Sequence, residues 1–374
     1  MKSKKSVMPV QDGLGRGADG STLETLWFEL PSYCNLACTY CFANGGESIN
    51  VDDLISEEKY TEMLDEAKSL GVKSVGIPGA GEPFVGKNID LTMKLLEMCK
   101  DRGFYTTIFT TGEFITEELA DKLFEMPVEL MIKCNSLDPD VQNTFVSDPA
   151  RDRTITHYGQ KRNEVLDMLI EKGFNKPFQK RKSRLAIVTS IMTGLKGGPS
   201  NYDEMADLLR YARDRNIIFD CDSVLERGRG AGCKLITSDQ MIKDKQLELQ
   251  KIDRKEYGKE WEISQSYIGT VCDRFAHHMY VNQSGKIRPC IGAMDVKLGN
   301  IKTTTLAEAW DRPEMQIIRN RNYKGKCGDE CANFEEKKCN SCLGRRTDEL
   351  NNDYLLEHGH VKTIGCWNFK QKEK

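Results

Sequence analysis

The sequence predicts an α/β fold built on a parallel sheet, followed by a smaller cysteine-rich region. Two observations carry that expectation. Apolar, β-branched runs alternate about six times with longer amphipathic runs rich in Lys, Glu, Leu and Met, and this rhythm stops after Asp222. The 14 cysteines gather at the two ends of the chain. Cys34, Cys38 and Cys41 form one knot, and Cys272, Cys290, Cys327, Cys331, Cys339, Cys342 and Cys366 crowd the last hundred residues. Only Cys99, Cys134, Cys221 and Cys233 lie between.

The expected strands are 23–30 (LETLWFEL), 73–78 (KSVGIP), 104–110 (FYTTIFT), 128–135 (VELMIKCN), 184–191 (RLAIVTSI) and 217–222 (IIFDCD). Helices are expected near 56–70, 88–102, 116–125, 160–172 and 201–215, three of them opening on the capping residues Ser56, Thr116 and Asn201. Strands separated by helix-length connections pair in parallel, because a parallel crossover needs a connection of about that length. Six such units make either a partial (β/α)6 barrel of the TIM type or a doubly wound open sheet, and periodicity alone does not separate the two. Residues 225–235 (LERGRGAGCKL) are Gly-rich and basic, and a charged helix is expected around 238–257. Four regions follow: a flexible segment 1–22, the repeated α/β units over 23–224, a helical connector over 225–270 and the cysteine-rich region 271–374. That last region has few apolar runs, so bound metal is expected to supply its stability.

With 374 residues, 39% hydrophobic and 30% charged, the composition is that of an ordinary globular protein. The net charge of −3 is spread along the chain, so no nucleic-acid or anionic-membrane partner is expected. The first twenty residues lack the apolar core of a signal peptide, and a cytoplasmic location follows. In that reducing compartment clustered cysteines point to metal more often than to disulfides.

The knot Cys34-x3-Cys38-x2-Cys41 falls in the loop leaving the first strand, on the edge of a parallel sheet where active sites form. Three thiols are one short of a closed tetrahedral site. A zinc knuckle with a distant fourth ligand would show this spacing. So would an iron–sulfur cubane with one iron left open, and an open position is what makes a metal centre reactive.

CNLACTYC matches the Cx3CxΦC signature of the radical S-adenosylmethionine (SAM) superfamily, with Tyr40 as the aromatic residue. GAGEP (79–83) after the second strand resembles the family's GGEP motif, which binds the amino group of the cofactor's methionine part. Ala80 replaces the first motif glycine, while Gly81, Glu82 and Pro83 fit. NSLDP (135–139) resembles a family segment whose serine, here Ser136, contacts the cofactor. The end of the fifth strand, Thr189 and Ser190, is where members place ribose-binding groups, though this stretch matches less well. The resemblance thus selects the partial barrel, and it implies SAM bound to the open iron of a [4Fe–4S] cluster.

Cys272-x12-Gly285-x4-Cys290, the run Cys327, Cys331, Cys339, Cys342 and the late Cys366 resemble the SPASM extension, which holds two auxiliary [4Fe–4S] clusters. The spacings x3, x7 and x2 of the run depart from the usual pattern, and two zinc sites would also suit spacing alone. By resemblance, Cys272, Cys290 and Cys342 would hold the inner cluster, and Cys327, Cys331, Cys339 and Cys366 the outer one. One inner iron is then left without a cysteine.

Family membership implies hydrogen abstraction from a substrate carbon, with the electron supplied by a donor such as flavodoxin or ferredoxin. The short segment before Leu23 has no room for a leader-peptide-binding domain, which puts most weight on a sugar- or aminoglycoside-like small molecule undergoing dehydrogenation or epimerisation. Peptide modification (crosslinking, oxidation or epimerisation) and sulfatase maturation are the alternatives. Maturases resembling this chain carry an acidic residue where Ile291 stands. A zinc-stabilised binding protein is the alternative outside enzymes. For an epimerisation, Cys134 and Cys221 near strand ends are the candidate thiol hydrogen donors, set against the plainer reading of small buried hydrophobes. Asp220, Asp222, Glu226, Arg227 and Arg229 are candidates for a polar substrate, and the pair His277–His278 for a ligand, with ordinary structure as the competing reading for each.

Overall fold

A computed structural model describes residues 22–194, 197–225, 227–233, 238–258 and 274–319, with 324–325, 332, 356 and 360–361 beyond them. Cys272, Cys327, Cys331, Cys339, Cys342, Cys366 and Glu226 lie outside the described residues.

Six parallel strands form at the expected runs, the sixth reaching one residue further: β1 (Thr25–Phe28), β2 (Ser74–Ile77), β3 (Tyr105–Thr110), β4 (Val128–Lys133), β5 (Leu185–Ile191) and β6 (Ile218–Ser223). Helices α1 (Glu57–Ser69), α2 (Ile89–Asp101), α3 (Glu117–Phe124), α4 (Pro139–Val146), α5 (Tyr158–Glu171) and α6 (Met205–Asp214) connect them. The strands pair in sequence order, which curls the sheet into a partial barrel instead of the reversed order of a doubly wound sheet. Beyond β1 the sheet continues through β7 (His278–Val281), β8 (Lys286–Arg288) and β9 (Gly299–Asn300). The strand β7 runs parallel to β1, and β8 returns antiparallel through the turn at Gly285, whose φ of 85° suits glycine. This hairpin turn was legible in the sequence; its docking on the first strand was not.

Strand alternation sorts the side chains into two layers. Leu26, Phe28, Val75, Ile77, Ile108, Leu130, Ile132, Ile187 and Phe219 point outward into the main core under the helices. Met131, Ala186 and Ile218, with Phe109 and Val188, form a separate apolar cluster inside the barrel. Beneath it the buried Arg181 pairs with Glu129 at 3.0 Å and stacks over Tyr105. The barrel floor is therefore packed, and the cavity lies above it.

Ser56 and Thr116 cap their helices as expected, accepting from the Lys59 and Leu119 amides. Asn201 does not cap α6, whose N-cap is Glu204. It is buried instead, donating to the Asn135 and Ser190 carbonyls and accepting from the Met192 amide. The connector helix forms as α7 (Asp239–Ile252), ending in one π-helical turn. There Asp253 takes both nitrogens of the buried Arg213 at 2.8 and 2.9 Å, tying the connector to α6. No helix among the described residues is long and apolar enough to cross a membrane.

Candidate active site

The cysteine loop leaves β1 and folds back across the barrel mouth. Its backbone is tied on several sides: the Gly46 amide donates to the Ser32 carbonyl at 2.7 Å, the Ala37 amide to the Val146 carbonyl at 3.0 Å, and Arg153 to the Asn35 carbonyl at 2.8 Å. Cys34, Cys38 and Cys41 are half-buried free thiols lining one cavity of about 340 Å³. That size lies within the range of small-molecule sites. Burial, and then the charge of the neighbouring Cys38, pushes the Cys34 thiol up to about 12. Burial and Cys41 push Cys38 up to about 11. The desolvation of Cys34 and Cys38 is relieved by coordination to metal, which deprotonates them and offsets their charge. Among the described residues no three acidic, His or Cys side chains converge on one ion position. A cubane does not require that, since each thiolate binds a different iron. The donor set thus fits a cluster with three thiolate ligands.

The motif after β2 lies directly against this loop. Gly79, joined to Ala80 by a cis peptide, begins a turn in which Gly79, Ala80, Gly81 and Glu82 line the cavity. Gly81 packs so tightly on the cysteine loop that an added Cβ would fall 2.2 Å from the Tyr33 carbonyl. Glu82 is buried, and its carboxylate accepts from the Thr110 hydroxyl at 2.5 Å, the Thr111 amide at 2.7 Å and the Phe84 amide at 3.2 Å. Burial still holds its carboxyl above the usual range. A bound ammonium beside it would offset that cost. Pro83 does not reach the cavity; it sits buried behind the turn, its carbonyl accepting from Thr92 at 2.7 Å.

Tyr40 lines the cavity and shares its hydroxyl with Asn135 Nδ2 at 2.6 Å. Asn135 Oδ1 in turn accepts the Ser190 amide at 3.0 Å, so this buried side chain links three strand ends. Sequence reading singled out its neighbour Ser136 instead. Ser136 is fully buried and away from the cavity, its hydroxyl accepting from the Asp138 amide at 3.0 Å to shape the start of α4. The position is therefore structural, and the buried Asn135 beside it braces Tyr40 and Ser190 from behind the cavity wall. Ser190 does line the cavity, accepting from Lys133 Nζ at 2.8 Å, while Thr189 turns its hydroxyl to the Cys134 carbonyl. Burial draws Lys133 down to about 8, although the nearby Cys38 and Asp220 charges favour its ionised form.

Cys134 and Cys221 do not face the cavity. Both are fully buried in the outer core under the helices, because inward positions on β4 and β6 fall to Met131 and Lys133 and to Asp220 and Asp222. The role of hydrogen donor is thereby withdrawn from both. Cys290, after β8, is buried near Tyr280, whose hydroxyl is held protonated by burial and then by Glu29. His277 and His278 belong to β7 and its start: the His277 carbonyl accepts the Glu24 and Thr25 amides, and the His278 ring meets Trp27 edge-on. That is the ordinary-structure reading.

The rest of the cavity lining includes Trp27, Phe109, Met131 and Val188 together with Asp220, Asp222, Arg274 and Ile291. Trp27 fits there because Gly76 has no side chain; a Cβ would lie 2.3 Å from the indole nitrogen. Arg274 stacks over the same indole at 4.6 Å. Asp220 is buried, with Oδ1 accepting from no protein donor; burial holds its carboxyl above the usual range, and Arg274 and then Lys133 offset part of that.

A loop of three cysteines after the first strand, a glycine turn locked on it and a polar–apolar cavity above a plugged barrel are the layout of the radical SAM class of fold. The comparisons with known proteins agree. Residues 28–212 match the radical SAM superfamily and residues 272–343 the SPASM iron–sulfur cluster-binding domain, and the chain belongs to that superfamily. Its barrel domain is of the type that binds SAM and a [4Fe–4S] cluster, and its C-terminal domain of the type that binds auxiliary iron–sulfur clusters. The chain is 26% identical over 195 residues to a tungsten-containing aldehyde ferredoxin oxidoreductase cofactor-modifying protein of Pyrococcus furiosus, covering 50% of this chain and 48% of that protein. It is 32% identical over 126 residues to PqqA peptide cyclase of Granulibacter bethesdensis, covering 33% of this chain and 32% of that one. The chain thus spans less than half the length of these relatives. Among solved structures, Streptococcus suis SuiB bound to SAM superposes with a TM-score of 0.60 at 19% identity, over 85% of this chain and 72% of that one. The enzyme anSMEcpe superposes with a TM-score of 0.60 at 16% identity, over 87% and 92%. At such identities the likeness establishes the fold.

Proposed function

We propose that this chain is a radical SAM enzyme acting on a peptide, from one carbon of which it removes a hydrogen atom. The observation that carries the peptide reading is the 32% identity over 126 residues to a peptide cyclase. Sugar or aminoglycoside tailoring, expected from the short N-terminal segment, has no comparable support. Cys34, Cys38 and Cys41 hold the SAM-binding cluster. Cys272, Cys290 and Cys342 hold an inner auxiliary cluster, and Cys327, Cys331, Cys339 and Cys366 an outer one. When bound, SAM and its cluster supply a 5′-deoxyadenosyl radical on receipt of one electron from a flavodoxin- or ferredoxin-class donor.

The chain's own residues then bind, orient and exclude water. The carbonyls of the Gly79–Gly81 turn and the Glu82 carboxylate would hold the methionyl ammonium, and Ser190 with Lys133 would hold the ribose end. Trp27, Phe109, Met131 and Val188 form a dry wall that limits competing hydrogen donors near the substrate. The unpartnered oxygen of Asp220 accepts an N–H or O–H from the substrate residue that enters the cavity.

Anaerobically reconstituted protein should contain about twelve iron and twelve sulfide per chain, the content of three cubanes. Incubated with SAM, dithionite and a precursor peptide encoded beside its gene, it should form 5′-deoxyadenosine and change the peptide's mass or stereochemistry. Stoichiometric zinc without iron would sink the enzyme reading. Turnover of a sugar with no effect on any peptide would sink the substrate assignment alone.

A further inference from the structure

Arg229 belongs to the connector segment LERGRG, which the reaction just described does not use. Its side chain is 8% exposed and lies across the cysteine loop. Nε donates to the Cys38 carbonyl at 3.0 Å and Nη2 to the Gly45 carbonyl at 2.9 Å, while the Arg229 backbone amide donates to the Cys41 carbonyl at 2.9 Å. Glu47 lies 3.5 Å from Nη1. The flanking glycines permit this approach: a Cβ on Gly228 would fall 2.4 Å from the Phe42 carbonyl, and one on Gly230 would fall 3.1 Å from the Tyr40 carbonyl. Arg229 also borders both the cavity and an outer groove that includes Thr39, so it walls the loop off from that side.

We propose that Arg229 is a positioning residue for the SAM-binding cluster: it fixes the fold of the cysteine loop and places a permanent positive charge beside Cys38 that raises the cluster's reduction potential. The inference rests on the function proposed above. A planar fork reaching two carbonyls is a geometry that arginine can hold and lysine cannot. Net charge and hydrogen bonds around the thiolates are among the main determinants of a cluster's potential. A fixed cation favours the more negative, reduced state.

The test uses the full chain, reconstituted anaerobically and titrated with dithionite in the presence of SAM. The EPR signal that changes on adding SAM identifies the relevant cluster among three. R229Q should show a lower midpoint potential than the wild type, and R229K, which keeps the charge, should stay close to it. Both should lose iron to a chelator about tenfold faster, the effect of losing one charge-assisted hydrogen bond. R227Q, whose parent side chain pairs with the exposed Asp295 at 3.2 Å, should change neither property. A wild-type midpoint in R229Q would overturn the electrostatic role, as would an equal shift in R229K. Unchanged iron release in both Arg229 variants would overturn the structural role. Should R229Q fail to hold iron at all, R229K alone still decides: a fall in its midpoint rejects the proposal. If the wild type shows no SAM-sensitive signal, the enzyme reading fails, a result distinct from any Arg229 outcome.

Discussion

The Gly81 α-carbon faces the Tyr33 carbonyl so closely that a single added methyl group would lie 2.2 Å from its oxygen, with the Pro31 carbonyl at 2.6 Å. The next amide, that of Glu82, donates to the same Tyr33 carbonyl at 2.8 Å. The cysteine loop and the cofactor turn are thus one interlocked unit, and the obstacle to any larger residue is backbone that cannot rotate away. Gly81→Ala should therefore cost about 2 kcal/mol or more of stability. Calorimetry should show SAM bound at least about tenfold more weakly, which corresponds to about 1.4 kcal/mol. Wild-type affinity in this variant would show that the two loops can separate freely.

The placement of Cys134 and Cys221 predicts that neither thiol takes part in the reaction. Cys134→Ala and Cys221→Ala should each lower the thermal midpoint modestly, by the equivalent of about 1 kcal/mol for a lost buried sulfur. The rate of 5′-deoxyadenosine formation and the stereochemistry of the product should stay as in the wild type. Loss of product with normal SAM cleavage in either variant would restore that cysteine as a hydrogen donor.

Glu29 gives the fold a pH dependence. It is buried at the end of β1, accepts from the Tyr280 hydroxyl and from the Gln283 amide at 3.0 Å, and its carboxyl is raised to about 7, mainly by burial. A raised carboxyl binds its proton more tightly in the folded than in the unfolded chain. Its contribution is therefore full below the ordinary value of 4.5 and is lost as pH rises towards about 7. The loss is of order 3 kcal/mol. In Glu29→Gln the thermal midpoint should vary less between pH 5 and pH 7.5 than in the wild type, both scanned anaerobically with clusters in place. Equal pH profiles would show that this carboxyl is ionised throughout.

Asp220 tests the substrate side independently of SAM. Asp220→Asn keeps the shape but replaces one acceptor oxygen with a donor and removes a charge facing Arg274 and Lys133. Uncoupled cleavage of SAM by dithionite should stay within about twofold of wild type, while KM for the peptide rises about tenfold or more, the effect of a mismatched buried hydrogen bond. An unchanged KM would place the substrate away from β6.

Much of this site was legible in the sequence because its parts are local. The cysteine spacing, the glycine turn after β2 and the capping residues Ser56 and Thr116 each depend on a few consecutive residues. Asn201 was misread for the opposite reason, whereas the Ser136 hydroxyl makes only a local bond, to the Asp138 amide. A serine or asparagine beside a helix start looks the same whether its side chain caps that helix or is drawn into the interior by distant carbonyls, and Asn201 bonds to Asn135, 66 positions away. Cys134 and Cys221 were placed near the correct strand ends. Period-two alternation, applied strictly against the inward carboxylates of β6, would have set Cys221 outward from sequence alone.

The sequence by itself determined the six alternating strand–helix units, the cysteine knot after the first strand and the turn at Gly285, because periodicity, spacing and backbone preference are written residue by residue. Only the tertiary structure decided that β7 docks on β1, that Asn135 links Tyr40 to Ser190, and that Arg229 from the far connector clamps the cysteine loop 184 positions away. These contacts follow from which surfaces meet when the sheet curls, and no local pattern records them. The open cluster position was thus visible in eight residues, while the groups that hold its loop in place come from the whole length of the barrel.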